Sequence, residues 1–226
     1  MKRRARWFAG AAALLLGGVL LGPLALRQVA FFRLRRVELV GTRYLAPDQV
    51  VSRLGLAPKQ SLFDGTGQIA RRVESVGGVV SARVERRLPG TLRITVTERV
   101  PVAFAPGPGG LVPLDAAGRA LPYDPAATGL ALPLVPRADA VILAALAQVR
   151  SADSALYQEV DAARRGDGGG VLLELGPRRV LLRAKPTIDE VQAVAAVRRH
   201  LAASGRPYAE LDARFQGWVV GRRSRS

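Results

Sequence analysis

Side chains able to do covalent or metal chemistry are scarce in this sequence. None of its 226 residues is cysteine, which removes thiol nucleophiles, disulfides, Cys-ligated zinc and iron–sulfur clusters together. A chain without thiols is chemically safe on either side of a membrane, so the redox compartment stays open. Histidine occurs once, at His200. A His-cluster metal site is therefore excluded, and any Ser-His-Asp arrangement must run through that one imidazole. His200 falls in the last turn of an expected helix beside Arg198 and Arg199, where a cationic side chain complements the carbonyl end. Carboxylates offer another route. Asp115, Asp161 and Glu174 are acids that an anchored hydrolase would pair in a cleft, one protonated and one ionised. Asp115 has a plainer role open to it, since Leu114-Asp-Ala-Ala-Gly118 reads as strand, tight turn and strand. The sequence holds no Gly-rich phosphate loop, no paired histidines and no Gly-x-Ser-x-Gly. No cofactor, metal or small-molecule substrate is expected. What remains is the chemistry of binding.

The charge is strongly basic, with 34 Lys and Arg against 18 Asp and Glu. It is concentrated at the ends. Residues 1–36 hold eight bases and no acid, and residues 198–226 hold seven bases and two acids. The body between is near neutral. A nucleic-acid reader more often carries a basic stripe with interleaved aromatics on its fold, so no nucleic-acid partner is expected. After the basic Met1–Arg6, Phe8–Leu26 runs without a charge. Nineteen helical residues rise about 28 Å, close to the hydrocarbon thickness of a bilayer. The run is longer than a signal-peptide core and no small-x-small cleavage site follows it, which favours a retained anchor over 8–27. Trp7 and Phe8 flank one rim, and Phe31 and Phe32 lie past the other. Gly18-x-x-x-Gly22 has a spacing at which a partner helix can pack closely, although small residues are common in such spans. Bases are nearly balanced across the span. The long C-terminal part translocates largely regardless of charge, which leaves residues 1–7 cytoplasmic and the rest outside.

Alternation and helical spacing place a compact unit next. Arg36–Val40 reads as a strand, Pro47–Leu54 as a short helix stopped by Gly55, and Thr66–Val76 as a helix ended by Gly77-Gly78. Val80, Ala82 and Val84 alternate with polar residues, Leu88-Pro-Gly90 turns the chain, and Leu92, Ile94 and Val96 alternate again. The order β-α-α-β-β suits a three-stranded sheet with two helices on one face. Glu98-Arg99 is expected to be a solvated pair that closes this unit. The run Val37–Gly41 and the segment Val80–Ala103 resemble a polypeptide-transport-associated (POTRA) domain. Pro89-x-x-Leu92-x-Ile94-x-Val96-x-Glu98-Arg99-x-Pro101 resembles, more narrowly, that of the FtsQ/DivIB family of bacterial cell-division proteins.

Pro106-Gly-Pro-Gly-Gly110 is a turn cluster and a plausible boundary. Beyond it, a helix is expected from Asp139 to Val149 and a hairpin from Val171–Leu175 and Val180–Leu182. The longest helix outside the anchor is expected over Thr187–Ala203, with Thr187-x-x-Glu190 as a capping box. Leu211-Asp-Ala-Arg-Phe215 alternates, Gly217 interrupts, and Trp218-Val-Val220 continues. This end resembles the family's terminal strand, and Leu114–Gly118 resembles the start of its second domain. The resemblance implies an α+β fold: one N-terminal transmembrane helix, a POTRA domain over 33–103, and a mainly antiparallel, β-rich domain with helices over 104–221. Residues 222–226 form a basic tail. It also implies a non-enzymatic divisome scaffold in the cell inner membrane, at the septum, with FtsB (DivIC) and FtsL as partners. The last strand's open edge would take up a partner strand, with Leu211, Ala213, Phe215, Trp218, Val219 and Val220 as the binding residues. Two other functions fit the sequence. A transport or assembly factor of another POTRA type would carry tandem repeats or a barrel's many strands. An anchored cell-wall hydrolase would carry paired acids.

Overall fold

The computed structural model describes residues 34–55 and 65–223. The expected cytoplasmic segment, the anchor at 8–27 and the Gly18/Gly22 packing pair lie outside the described residues. No helix among the described residues is long and apolar enough to cross a membrane. The chain divides into two compact units, the first ending at Glu98 and the second beginning at Arg99.

The first unit is built from β1 (Arg36–Val40), α1 (Pro47–Leu54), α2 (Thr66–Glu74), β2 (Val79–Arg87) and β3 (Thr91–Glu98). The sheet order is β1-β3-β2, with β1 parallel and β2 antiparallel to β3. The alternation of β3 explains its central place. Leu92, Ile94 and Val96 are buried on one face, together with Val50 and Leu54 of α1 and Ile69 and Val73 of α2. Thr95 and Thr97 stay exposed on the other. Helix α2 is shorter than its apolar spacing predicts, because Ser75 caps it with N–H bonds to Arg71 and Val73. Gly41 follows β1 at φ 91°, where a Cβ would run into the carbonyl oxygen of Val96.

Glu98 departs from expectation. It is no solvated partner of Arg99. Its carboxylate accepts from three consecutive backbone N–H groups, Arg43 (2.9 Å), Tyr44 (2.8 Å) and Leu45 (2.8 Å). Those donors lie between β1 and α1, so the end of β3 pins the crossover loop. Arg99 turns instead to Asp115, at 3.7 Å.

The second unit comprises β4 (Pro101–Gly107), β5 (Gly110–Asp115), α3 (Pro125–Thr128), α4 (Ala140–Ala152), α5 (Ser154–Gln158) and β6 (Ala162–Arg165). There follow β7 (Val171–Leu175), β8 (Arg178–Leu182), α6 (Ile188–Ala203), β9 (Glu210–Asp212) and β10 (Val220–Arg222). Strands β10-β9-β8-β7-β6 form one sheet, antiparallel throughout except for the parallel pair β8–β9. The β4–β5 hairpin joins through Leu134, which bridges Phe104 on one side and Ala162 on the other. Val171, Leu173, Leu175, Val180, Leu182 and Leu211 pack one buried cluster with Ile142, Leu146 and Val149 of α4 and Val191 and Val194 of α6. Asp139, Asp153 and Thr187 cap α4, α5 and α6 through their side-chain oxygens, and Thr187 with Glu190 completes the expected capping box.

We predict that Glu98→Ala lowers the stability of the first unit by about 1–3 kcal/mol, because it leaves three N–H groups without their acceptor. Chemical denaturation of the full chain in detergent micelles, followed by circular dichroism, measures it. An unchanged unfolding midpoint would show that water replaces the carboxylate at no cost.

Candidate partner-binding edge

The terminal segment is not one strand. Leu211 and Asp212 belong to β9, which lies between β8 and β10, so both of its edges are occupied. Leu211 is fully buried and Ala213 nearly so, packed against α4 and α6. Leu211, expected in the binding surface, is core, whereas Ala213, although buried, lines the groove described below. For Leu211 the reason is topological: a strand flanked on both sides and covered by helices offers neither edge nor inner face to a partner.

The chain then loops from Ala213 to Val219 and returns as β10, antiparallel to β9. Arg214 shapes this loop. Its guanidinium forks onto Asp212, Nε to Oδ1 at 2.9 Å and Nη2 to Oδ2 at 2.7 Å, while Nη1 donates to the carbonyl of Asp167 at 3.0 Å. Trp218 N–H donates to the Phe215 carbonyl at 3.1 Å, and Gly217 supplies the left-handed φ of 78° that the turn needs. The result lifts aromatic side chains outward. Phe215 keeps 54% of its surface exposed, Trp218 76% and Val220 45%. Val219 turns the other way and packs against the core cluster.

Among the described residues β10 pairs with β9 alone, so it ends the sheet with one row of N–H and C=O groups open. Beside it lies a groove of about 430 Å³ between Phe215–Val219 and the start of α6, with Arg183, Asp189, Glu190 and Ala193 on its far wall. Arg222, expected in a solvated tail, is the last residue of β10 and lies 3.3 Å from Glu210. The open edge, the exposed aromatics and the groove together can take up an extended peptide. The backbone edge would supply affinity and the groove side-chain selection.

Each of the acids considered for hydrolysis has a structural partner. Asp115 Oδ1 accepts from the N–H groups of Ala117 and Arg119, both at 2.9 Å, which is the turn role. Asp161 accepts from Gly176 N–H at 2.6 Å, and Glu174 pairs with Arg164 at 3.0 Å. His200 is exposed at the end of α6. No cluster of three His, Cys, Asp or Glu able to hold a metal occurs among the described residues.

Three carboxyls have their pKa lowered below the ordinary value of 3.8. Asp212 is held down chiefly by the Arg214 hydrogen bond, Asp139 by that of Arg165, and Asp153 by the Leu156 N–H. A proton therefore binds the unfolded chain before the folded one. Their contribution to stability is whole above about pH 5 and is lost as pH falls through 3.8 towards the lower folded values. Thermal midpoints are accordingly expected to stay level from neutral pH to about pH 5 and to drop below pH 4, with a shallower acid slope in Asp212→Asn. A slope unchanged in that variant would remove Asp212 from the account. Core and surface separate in the same assay. Leu211→Ala is expected to cost about 2–5 kcal/mol, and Trp218→Ala no more than about 0.5 kcal/mol. Equal losses would mean that Trp218 is buried.

Comparison with known proteins follows the same division of the chain. The family model described as the POTRA domain of FtsQ type matches residues 32–99, the whole of the first unit's described elements. A cell division protein FtsQ from Mycobacteroides abscessus is 29% identical over 180 residues, 77% of this chain and 57% of that protein. FtsQ of Mycobacterium tuberculosis H37Rv is 37% identical over 95 residues, 40% of this chain and 30% of the relative. FtsQ of Rhodothermus marinus is 41% identical over 93 residues, 40% of this chain and 34% of the relative. Each match thus falls well short of the relative's whole length. The first unit therefore carries a POTRA domain of the FtsQ type, and the chain is similar to bacterial FtsQ cell-division proteins, to one of them over most of its length.

Proposed function

We propose that the protein is a non-enzymatic scaffold of the division machinery, anchored in the inner membrane by residues 8–27. Its two units then lie outside the cytoplasm. Its partners are single-span division proteins of the FtsB/DivIC and FtsL kind, bound through the β10 edge. The observation that supports this reading most directly is the end of the second sheet. There an unpaired strand edge is exposed together with Phe215, Trp218 and Val220.

The energetics suit binding. Adding a strand satisfies backbone groups that water otherwise solvates, and it needs no preformed cavity. Aromatic anchors beside such an edge dominate interface energies, because they bury large area with few rotatable bonds. The Asp212–Arg214 fork pre-orders the loop that carries both aromatics. A partner therefore spends less entropy ordering that loop on binding.

In-cell photocrosslinking from Phe215 and Trp218, one position at a time, tests the reading. Capture of a small single-span protein with a heptad coiled coil is the expected result. Trp218→Ala should then weaken that association by about 30-fold or more while leaving the thermal midpoint unchanged. Capture of a large β-barrel protein would replace the scaffold reading with a transport one. Silence at both positions, with a product from a control in the β1–β3 sheet, would move the partner site to the first unit.

A further inference from the structure

The tip of the β2–β3 hairpin carries a pattern that the β10 edge does not use. Arg86 and Arg87 end β2 and Leu88 begins the turn; all three are exposed, Leu88 by 65%. In the same turn the carbonyl of Gly90 accepts from Arg35 N–H at 2.8 Å and from Arg36 N–H at 3.1 Å. The turn is thereby fastened to the start of β1, where Arg35 and Arg36 are exposed as well. The guanidinium groups of Arg35, Arg36 and Arg87 and an exposed leucine share one end of the sheet. No acid occurs in residues 35–37 or 86–92. The nearest acids along the chain, Glu38 and Glu85, are both in register with Arg93 farther along the sheet.

This end is also where the chain enters the fold. Arg35 lies nine residues after Leu26, the last of the uncharged run. Nine extended residues reach at most about 30 Å. The inference rests on reading residues 8–27 as a membrane anchor; given that anchor, the Arg35 end cannot lie farther than this from the bilayer face.

We propose that this tip docks on anionic lipid headgroups. Arg35, Arg36 and Arg87 meet the lipid phosphates, and Leu88 enters the interfacial layer. Guanidinium forks suit phosphate oxygens. Each basic side chain at an anionic surface strengthens association by roughly fivefold, and the attraction fades within about one Debye length, near 10 Å. The docked contact therefore belongs to this end of the unit and not to the far end of β3. Its effect is to fix the orientation of the first unit against the membrane.

The absence of native cysteine makes the test clean. The full chain carrying Leu88→Cys is labelled with a polarity-sensitive dye. It is reconstituted in vesicles of phosphatidylcholine alone or with phosphatidylglycerol added, and quenched by spin-labelled lipid. Thr97→Cys, exposed at the far end of β3, is the control. The expected result is a several-fold rise in quenching at position 88 in the anionic vesicles only, absent at position 97. Adding Arg36→Glu and Arg87→Glu should return position 88 to its value in phosphatidylcholine. A label at 88 equally solvent-exposed in both lipids overturns the proposal, as does protection that appears only when a protein partner is added. Alkaline extraction separates the two failures. A chain that stays in the bilayer with position 88 unquenched refutes the docking alone, whereas a chain released from it refutes the anchor and the docking together.

Discussion

The parallel pairing of β9 with β8 governs the second unit. Parallel neighbours cannot be joined by a tight turn, so the chain must leave the sheet and cross over before it returns. That crossover is α6, and its return delivers Leu211 beneath the helices in register with Val180. Once β9 is inside the sheet, whatever follows it must either leave or become the new edge. The Ala213–Val219 loop makes it the edge. The exposed aromatics, the groove beside α6 and the open strand β10 all follow from that single placement.

Charged groups hold the turns that make these placements possible. The Arg214 fork closes on Asp212 and also reaches the backbone of Asp167, so it ties the loop after β9 to the loop before β7. Arg198 pairs with Glu159, and Arg199 donates to Asp153 at 2.8 Å, which fastens the last turns of α6 to the α5 region. In the first unit the same logic appears without a cation: Glu98 is balanced by backbone N–H dipoles. These contacts matter because short helices and three-residue strands have little stability of their own. Apolar burial supplies the stabilisation, and the ionic and capping contacts decide the path of the chain.

Much of this was legible from residue order. The strict alternation of Thr91–Thr97 predicted a strand with one buried face, because a period of two has no other economical use. Thr187 and Glu190 marked the start of α6 through their reciprocal hydrogen bonds. The β7–β8 hairpin followed from two apolar runs around Gly176-Pro177. The short strands escaped. Strand β6, Ala162–Arg165, is too short and too basic to show a pattern, and it is a strand only because β7 and Leu134 satisfy its two edges. Strand β4 was divided between the end of one unit and a turn cluster. Its Pro-rich sequence reads as a break, whereas the structure pairs it with β5.

The sequence by itself determined the local choices: the β-α-α-β-β order, the capped helices, the scarcity of groups for covalent or metal chemistry, and the aromatic residues near the C-terminus. These depend on periodicity and composition, which neighbours along the chain express. Tertiary structure alone decided what is inside. Leu211 and Val220 carry similar apolar side chains in similar alternating contexts, yet one is fully buried and the other is 45% exposed. Glu98 looked like half of a surface ion pair until the fold brought Arg43, Tyr44 and Leu45 around it. Burial and edge position are properties of which strands become neighbours. That depends on contacts between residues far apart in the chain, where no local pattern can record them.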